Sequence, residues 1–283
     1  MKLIPGISSL YTQYDGFLID SWGVLQDGVD RFTAAAECLE ILIKKGKKII
    51  LISNAARRVD EIRGELDKVG ITDNLYTDII SSGEMTWFAL KTRSIDTIRG
   101  PCGYYLGPTR SQTLCAGLDY RWTGNLAEAD FVLNTGAPKG NPKNADHLKT
   151  TLIRMRDFHL PMICANPDQI AIRGGETGIS AGAIARLYER LNGSPTTYFG
   201  KPGSEIFQSA LKLLPNVQKS KVIMIGDGLA TDIRGAQNIE IDSIFITSGI
   251  HNGELTISDK TSLSLCAQNY NASPTYVCDT LNW

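Results

Sequence analysis

The chain has 283 residues, of which 42% are hydrophobic, and this length suffices for one large domain or two ordinary ones. Its 29 lysines and arginines nearly balance 30 aspartates and glutamates, giving a formal net charge of −1. Such a balance creates no field of one sign that would favour nucleic acid or an anionic membrane. The dense basic run, residues 44–48, lies where a helix is expected to end. We therefore expect no nucleic-acid partner and no membrane partner.

The N-terminal stretch and the cysteines predict a cytoplasmic protein. Residues 1–16 contain one lysine and no long apolar run, a pattern that predicts neither a signal peptide nor a membrane anchor. The six cysteines are scattered, with no Cys-x-x-Cys pair and no zinc-type spacing, so we expect reduced thiols.

Short apolar runs alternate along the chain with segments of helical periodicity, which is the pattern of an α/β protein with a mostly parallel sheet. Strands are predicted, in chain order, at 17–20, 48–53, 78–82, 102–107, 130–136, 161–166, 196–200, 221–227 and 242–249. Helices are predicted at 33–45, 59–69, 181–191 and 204–214.

The spacing of these elements predicts an insertion. An ordinary crossover joins the first two strands, whereas the next strand followed by chemically suggestive residues, 196–200, comes much later in the chain. The intervening segment holds enough strands and helices for a small domain of its own. We therefore predict an α/β fold with a Rossmann-like parallel-sheet core, residues 1–83 and 179–283, and an inserted α/β cap domain, residues 84–178.

Polar residues follow four predicted strands, at the positions where ligands bind in open parallel sheets. Each has an ordinary alternative when taken singly, because Asp and Asn form turns and Ser and Asn cap helices. The residues are Asp20; Ser53 and Asn54; Lys201; and Asp227 followed by Asp232.

Together these residue types can carry out phosphoryl transfer. An aspartate such as Asp20 attacks phosphorus to form an aspartyl-phosphate when nearby cations neutralise both anions. Lys201 is one such cation, and a Mg²⁺ ion held by carboxylates would be another. Ser53 and backbone N–H groups near Asn54 would bind the non-bridging phosphate oxygens.

The order of these residues resembles the haloacid dehalogenase (HAD) superfamily. The segments ISNAA, ICANPD and YFGKPGSEIF, at 52–56, 163–168 and 198–207, are similar to the NagD-like phosphatases of its class IIA. The resemblance implies a Mg²⁺-dependent phosphohydrolase that uses an aspartyl-phosphate and acts on a small phosphorylated metabolite, such as a sugar, aryl or acyl phosphate. A homodimer is implied by the resemblance alone.

The resemblance also assigns roles to individual residues. Asp20 and Lys201 would be catalytic, and Lys201 would bind phosphate together with Ser53 and Asn54. Mg²⁺ would be held by Asp20, the backbone carbonyl of Trp22, Asp227 and Asp232. Asn166 and Asp168 would contact substrate from the cap, although Asn, Pro and Asp also favour a simple turn.

Trp22 departs from the family pattern. Phosphatases of this superfamily usually have a second Asp two positions after the nucleophile, which protonates the leaving oxygen and later activates water. An indole N–H only donates and does not ionise near neutral pH, so Trp22 cannot take either role. General acid–base assistance is worth about 10²- to 10⁴-fold in rate. We therefore expect weak activity, best on esters whose leaving group needs little protonation.

Two hypotheses about function follow from the presence of Trp22 in place of the second Asp. One is a phosphatase of reduced activity, which the full set of acidic and basic residues favours. The other is a catalytically inert protein that binds a phosphate ligand at the same site. Asp27 is another acid near the loop, where it would either reach the site or form an Asp-Gly turn.

Overall fold

The computed structural model describes residues 1–140, 142–173, 176–251 and 260–283, and in them an α/β fold built on two parallel sheets. The strands are β1 (Lys2–Leu3), β2 (Gly16–Ile19), β3 (Lys48–Ser53), β4 (Asp78–Ser81), β5 (Cys102–Leu106), β6 (Arg121–Thr123), β7 (Phe131–Asn134), β8 (Met162–Cys164), β9 (Ile170–Arg173), β10 (Glu176–Ile179), β11 (Thr196–Tyr198), β12 (Val222–Gly226), β13 (Asp242–Ile246) and β14 (Tyr276–Cys278). The α-helices are α1 (Thr33–Lys44), α2 (Val59–Lys68), α3 (Ser82–Lys91), α4 (Lys149–Asp157), α5 (Ala181–Arg190), α6 (Ser204–Lys212), α7 (Arg234–Asn238) and α8 (Lys260–Asn269).

The larger sheet has seven strands in the order β1-β14-β13-β12-β2-β3-β4, and all its neighbours are parallel. Helices cover both faces, so its central strands are apolar on both sides. Leu39 of α1 and Leu66 of α2 pack on one face, and Phe207 of α6 and Ala236 of α7 pack on the other. Because β12, β2 and β3 are adjacent and parallel, the residues that follow them meet at one edge of the sheet.

The second sheet has five parallel strands in the order β11-β8-β7-β5-β6. Met155 of α4 and Tyr188 of α5 pack on one face, and Leu90 of α3 packs on the other. A small antiparallel hairpin, β9–β10, follows β8. The predicted α/β fold class is confirmed, and every predicted strand and helix is present.

The second sheet continues past residue 178, the predicted end of the insertion. Strand β11 pairs with β8 in the second sheet, and Ile184 and Tyr188 of α5 belong to the apolar cluster of that sheet. The second sheet therefore extends to Tyr198, and Lys201 follows one of its strands rather than a strand of the larger sheet. The apolar pattern of 196–200 predicts a strand but cannot show which sheet it joins. The division into core and cap domains remains a prediction.

Within the described ranges, we find no helix with the length and apolar character needed to cross a membrane. The six cysteines are free thiols, as the sequence predicts.

Candidate active site

Asp20 lies directly after β2, at the edge where the central strands end. Its backbone N–H donates to Ile225 O at 2.9 Å, which continues the pairing of β2 with β12 past the last strand residue. Only 8% of the residue is exposed. Its Oδ1 accepts a hydrogen bond from Lys201 Nζ at 2.6 Å. The structure thus brings together the predicted nucleophile and the predicted lysine.

Lys201 is almost fully buried, with 2% of its surface exposed, and its ammonium contacts three oxygens. Nζ lies 2.6 Å from Asp20 Oδ1, 2.6 Å from Asp232 Oδ1 and 3.0 Å from Ile52 O. Burial lowers the pKa of Lys201, but the neighbouring carboxylates outweigh this effect and raise it above its usual value. The side chain is therefore a permanent positive charge inside the site.

Asp20, Asp227 and Asp232 form a buried acidic cluster, in which each residue offers an oxygen within 4.8 Å of the others. Asp227 Oδ2 accepts the Ile250 N–H at 2.7 Å, and Asp232 Oδ2 accepts the Gly228 N–H at 2.9 Å. Asp232 lies in a π-helical turn, Leu229–Ile233, rather than at the strand end itself.

The charges of this cluster are not balanced by Lys201 alone. Burial raises the pKa of Asp20 to about 7 against the opposing effect of Lys201, and Asp232 raises it further. The pKa of Asp227 is raised well above its usual value, by burial and then by Asp20 and Asp232. Several buried carboxylate oxygens with surplus negative charge are the donor set that a hard divalent cation such as Mg²⁺ prefers. The residues present therefore fit the predicted cation.

Two glycines enclose the Asp227 carboxylate. An added Cβ at Gly23 or Gly249 would overlap Asp227 Oδ2. Gly23 also has φ +76°, a conformation that side-chain-bearing residues rarely adopt. The loop after β2 therefore has to contain glycine one position after Trp22.

The loop that contains Trp22 turns tightly back on itself. Leu25 N–H donates to Ser21 O and Gly23 N–H donates to Gln26 O, both at 2.8 Å, and Trp22 is half-buried. Asp27 Oδ1 accepts the N–H groups of two following residues at 2.9 Å each, and these bonds lower its pKa. Asp27 thus forms the Asp-Gly turn. The metal-binding role of the Trp22 carbonyl remains a prediction.

Asn54 connects the end of β3 to two loops of the second sheet. Its Oδ1 accepts the Lys201 N–H at 2.7 Å, while its Nδ2 donates to Lys201 O at 3.2 Å and to Asp168 Oδ1 at 2.7 Å. Asn166 Oδ1 accepts the Asp168 N–H at 2.9 Å, so both predicted cap residues lie in one turn beside Asn54. Ser53 Oγ accepts the Ala55 N–H at 3.2 Å. Phosphate binding by Ser53 and Asn54 and substrate contact by Asn166 and Asp168 remain predictions.

Ser82 is a buried polar residue of the site that the sequence does not single out. It begins α3, and its Oγ donates to Ala165 O at 2.6 Å and also contacts Phe199 O. It therefore joins the end of β4 to the segments that follow β8 and β11. A serine at a helix start is an ordinary capping signal, so nothing in the sequence distinguishes this role.

A buried lysine thus contacts two of three clustered aspartates at the carboxyl edge of a parallel sheet, an arrangement typical of an α/β enzyme with an acidic centre that fits a cation. Models of the haloacid dehalogenase-like hydrolases match residues 17–119 and 141–240, and a HAD-hydrolase-like model matches residues 198–283. The chain belongs to this superfamily of hydrolases.

Known relatives cover nearly the whole chain. An acid sugar phosphatase of Staphylococcus aureus (strain USA300) is 25% identical, over 95% of this chain and 96% of its own. A haloacid dehalogenase-like hydrolase of Brucella suis is 28% identical, with a TM-score of 0.86 over 99% of this chain and all of its own. A structure from Cytophaga hutchinsonii, described as a possible sugar phosphatase, is 23% identical, with a TM-score of 0.79 over 99% and 98% of the two chains, and supports the fold alone.

Proposed function

We propose that this protein is a Mg²⁺-dependent phosphatase that hydrolyses small phosphate esters through an aspartyl-phosphate on Asp20. The observation that carries this proposal is the contact of Lys201 Nζ with both Asp20 Oδ1 and Asp232 Oδ1 at 2.6 Å. This contact holds one oxygen of Asp20 against a fixed positive charge. The other oxygen, Oδ2, has no hydrogen-bond partner among the described residues and can attack phosphorus.

The residues of the chain divide the reaction between them. Ionised Asp20 attacks phosphorus as the bond to the leaving oxygen breaks, and water then attacks the aspartyl-phosphate to release inorganic phosphate. Lys201 keeps Asp20 oriented and offsets the charge of the incoming phosphate. Mg²⁺, which Asp20, Asp227, Asp232 and the Trp22 carbonyl would hold, supplies the further positive charge that carboxylates and phosphate require.

Trp22 and the names of the relatives indicate which phosphate esters the protein hydrolyses. Aryl and acyl phosphates have leaving groups that depart without protonation, so the missing acid at position 22 does not hinder the departure of these groups. Sugar phosphates, which the name of the S. aureus relative supports, release an alkoxide and need a proton from another group. Weak overall activity, a homodimer and a cytoplasmic location belong to the proposal as sequence-based expectations.

Hydrolysis of p-nitrophenyl phosphate and a panel of sugar phosphates, with and without Mg²⁺, tests this function. We expect Mg²⁺-dependent release of phosphate by the wild type and its loss in Asp20→Asn, which keeps the shape of the side chain but cannot attack. Equal rates of hydrolysis by the wild type and Asp20→Asn would refute the proposal that the protein is a phosphatase acting through Asp20. Binding of inorganic phosphate with no turnover would instead support the inert ligand-binding protein that Trp22 leaves open.

A further inference from the structure

The site holds a carboxylate that neither the acidic cluster nor the lysine contact uses. Asp27 is engaged in its turn, whereas Asp227 and Asp232 belong to the buried cluster. Asp168 reaches the site from the loop after β8, in the second sheet. We propose that Asp168 is the general acid and base of this enzyme, replacing the aspartate that Trp22 excludes, a role that rests on the proposed function.

A chain of three short contacts connects Asp168 to the nucleophile. Asn54 Nδ2 donates to Asp168 Oδ1 at 2.7 Å, the Lys201 N–H donates to Asn54 Oδ1 at 2.7 Å, and Lys201 Nζ donates to Asp20 Oδ1 at 2.6 Å. The turn closed by Asn166 Oδ1 fixes the backbone of Asp168. Asp168 is thus oriented by groups that also orient the nucleophile.

The two carboxylate oxygens of Asp168 have different surroundings. Oδ1 is held by Asn54, whereas Oδ2 accepts no hydrogen bond from any residue that the structure describes. Asp168 is also half-buried, whereas the three acids of the cluster are buried. One oxygen is therefore fixed, and the other remains available to exchange a proton with a bound ester.

The charges around Asp168 suit a proton donor. Lys201, Asp20, Asp232 and the Cys164 thiol are the titratable groups that interact with it. Burial raises the pKa of Asp168 to about 6, Lys201 and the Asn54 hydrogen bond oppose this rise, and Asp232 adds to it. A carboxyl group with this pKa holds a proton at mildly acidic pH and can release it to a basic alkoxide.

In this proposal, one proton moves from Asp168 to the leaving group in the first step and is replaced from water in the second. As Asp20 forms its bond to phosphorus and the P–O bond to the leaving group breaks, protonated Asp168 gives its proton to the leaving oxygen, and an alcohol departs. The Asp168 carboxylate then takes a proton from the water that attacks the aspartyl-phosphate. Inorganic phosphate leaves, and both carboxyl groups return to their starting states.

A purely structural role for Asp168 makes a different prediction for Asp168→Asn. The amide oxygen of asparagine can accept the same hydrogen bond from Asn54, and the side chain keeps its size, so a structural link between the two sheets would survive. The role of general acid would be lost in Asp168→Asn, because an amide does not give up a proton to the leaving oxygen. The variant therefore separates the two roles without requiring that the fold change.

The test compares the single-turnover rate at which the leaving group is released from p-nitrophenyl phosphate with the same rate for the best sugar phosphate of the panel, both with Mg²⁺, because the later hydrolysis of the aspartyl-phosphate is common to both esters. We expect Asp168→Asn to lose about 10²- to 10⁴-fold on the sugar phosphate and less than about 10-fold on p-nitrophenyl phosphate. The descending limb of the wild-type pH profile for the sugar phosphate should disappear in the variant, and Asp168→Glu should restore part of the rate. Asp157→Asn, at an exposed acid of α4, should leave both rates unchanged.

The outcomes separate this proposal from the proposed function. Equal losses on both esters, no loss on either, or no wild-type turnover of any sugar phosphate would overturn the role of Asp168. Wild-type hydrolysis of p-nitrophenyl phosphate that depends on Asp20 would still support the phosphatase in each of these cases. Hydrolysis that is independent of Asp20 would refute the phosphatase mechanism itself.

Discussion

At the scale of single residues, Lys201 determines whether the acids of the site can be ionised together. It is the buried ammonium that contacts both Asp20 and Asp232. A charge inside a protein is costly unless it is paired and hydrogen-bonded, and Lys201 is paired with two carboxylates and bonded to Ile52 O. Removing the lysine charge leaves the carboxylates unpaired in an environment where few waters reach them.

Lys201→Met keeps most of the side-chain volume but removes the charge. We expect it to abolish hydrolysis and to lower the free energy of unfolding by about 3–5 kcal/mol at pH 8, since it breaks a buried ion pair by deleting one partner. Urea unfolding measures the loss, with Lys212→Met on the exposed end of α6 as the control. If Lys201→Met is as stable as the control at pH 8, the contact of Lys201 with the two aspartates does not stabilise the folded protein by this amount.

The sequence predicts some of these residues better than others. Asp20 and Asp227 directly follow apolar strands and Ser53 ends one, and a local pattern is enough to place them at one edge of a parallel sheet. The bond between Asn54 and Asp168 joins residues 114 positions apart, so it depends on how the second sheet is placed. No local pattern reports such a contact, and each residue alone looks like a turn or a helix cap.

At the scale of elements, the loop after β2 is built so that its backbone touches an acidic side chain. Gly23 takes a left-handed conformation and leaves space only for hydrogen on the side of Asp227. Gly46, after α1, has nearly the same φ, +75°, but open space around it. Substitutions at these two glycines therefore distinguish the cost of a left-handed backbone from the cost of contact with Asp227.

Gly46→Ala should cost about 1–2 kcal/mol of stability, the usual penalty for a left-handed residue with a side chain, and leave hydrolysis unchanged. Gly23→Ala should cost more than this, because its Cβ displaces the Asp227 carboxylate, and should weaken Mg²⁺ activation. Chemical unfolding and the Mg²⁺ dependence of hydrolysis measure the two effects. Similar behaviour of both variants would mean that Asp227 does not require this close approach.

Apolar patterning predicts the central strands of both sheets and the helices α1, α2, α5 and α6, but it does not predict helix α3. The sequence does not predict helix α3 because its buried positions include Ser82, Gly83 and Thr86, which are not hydrophobic. Strand β11 was predicted, but its position in the second sheet was not, because period and composition do not specify the neighbouring strand. For the same reason, the predicted end of the insertion, residue 178, does not coincide with β11, the last strand in chain order of the second sheet.

At the scale of the whole molecule, the buried acids make stability depend on pH. A carboxyl group whose pKa rises on folding binds a proton more tightly in the folded state, so its contribution is lost as pH rises through the folded pKa. Asp20 has a folded pKa of about 7, against an unfolded value of about 3.9, and the pKa of Asp227 is raised in the same direction. The metal-free protein is therefore expected to lose stability between about pH 4 and pH 7.

The melting temperature in a chelator should fall from pH 5 to pH 8. Mg²⁺ should remove most of the fall, because it binds the ionised carboxylates of the folded state and stabilises that state by mass action. Asp227→Asn should show a smaller fall without metal and a smaller gain from Mg²⁺. A metal-free melting temperature that is flat or rising over this range would contradict the predicted protonation of the cluster.

The central claim is that Asp20 receives the phosphoryl group, and chemical trapping tests it most directly. The protein is mixed with p-nitrophenyl phosphate and Mg²⁺, quenched with borohydride, which reduces an acyl phosphate to an alcohol, and digested for mass spectrometry. We predict homoserine at position 20 in the wild type when substrate is present, and unmodified Asp20 when it is omitted. Unmodified Asp20 in a sample that has released nitrophenol would contradict the aspartyl-phosphate mechanism.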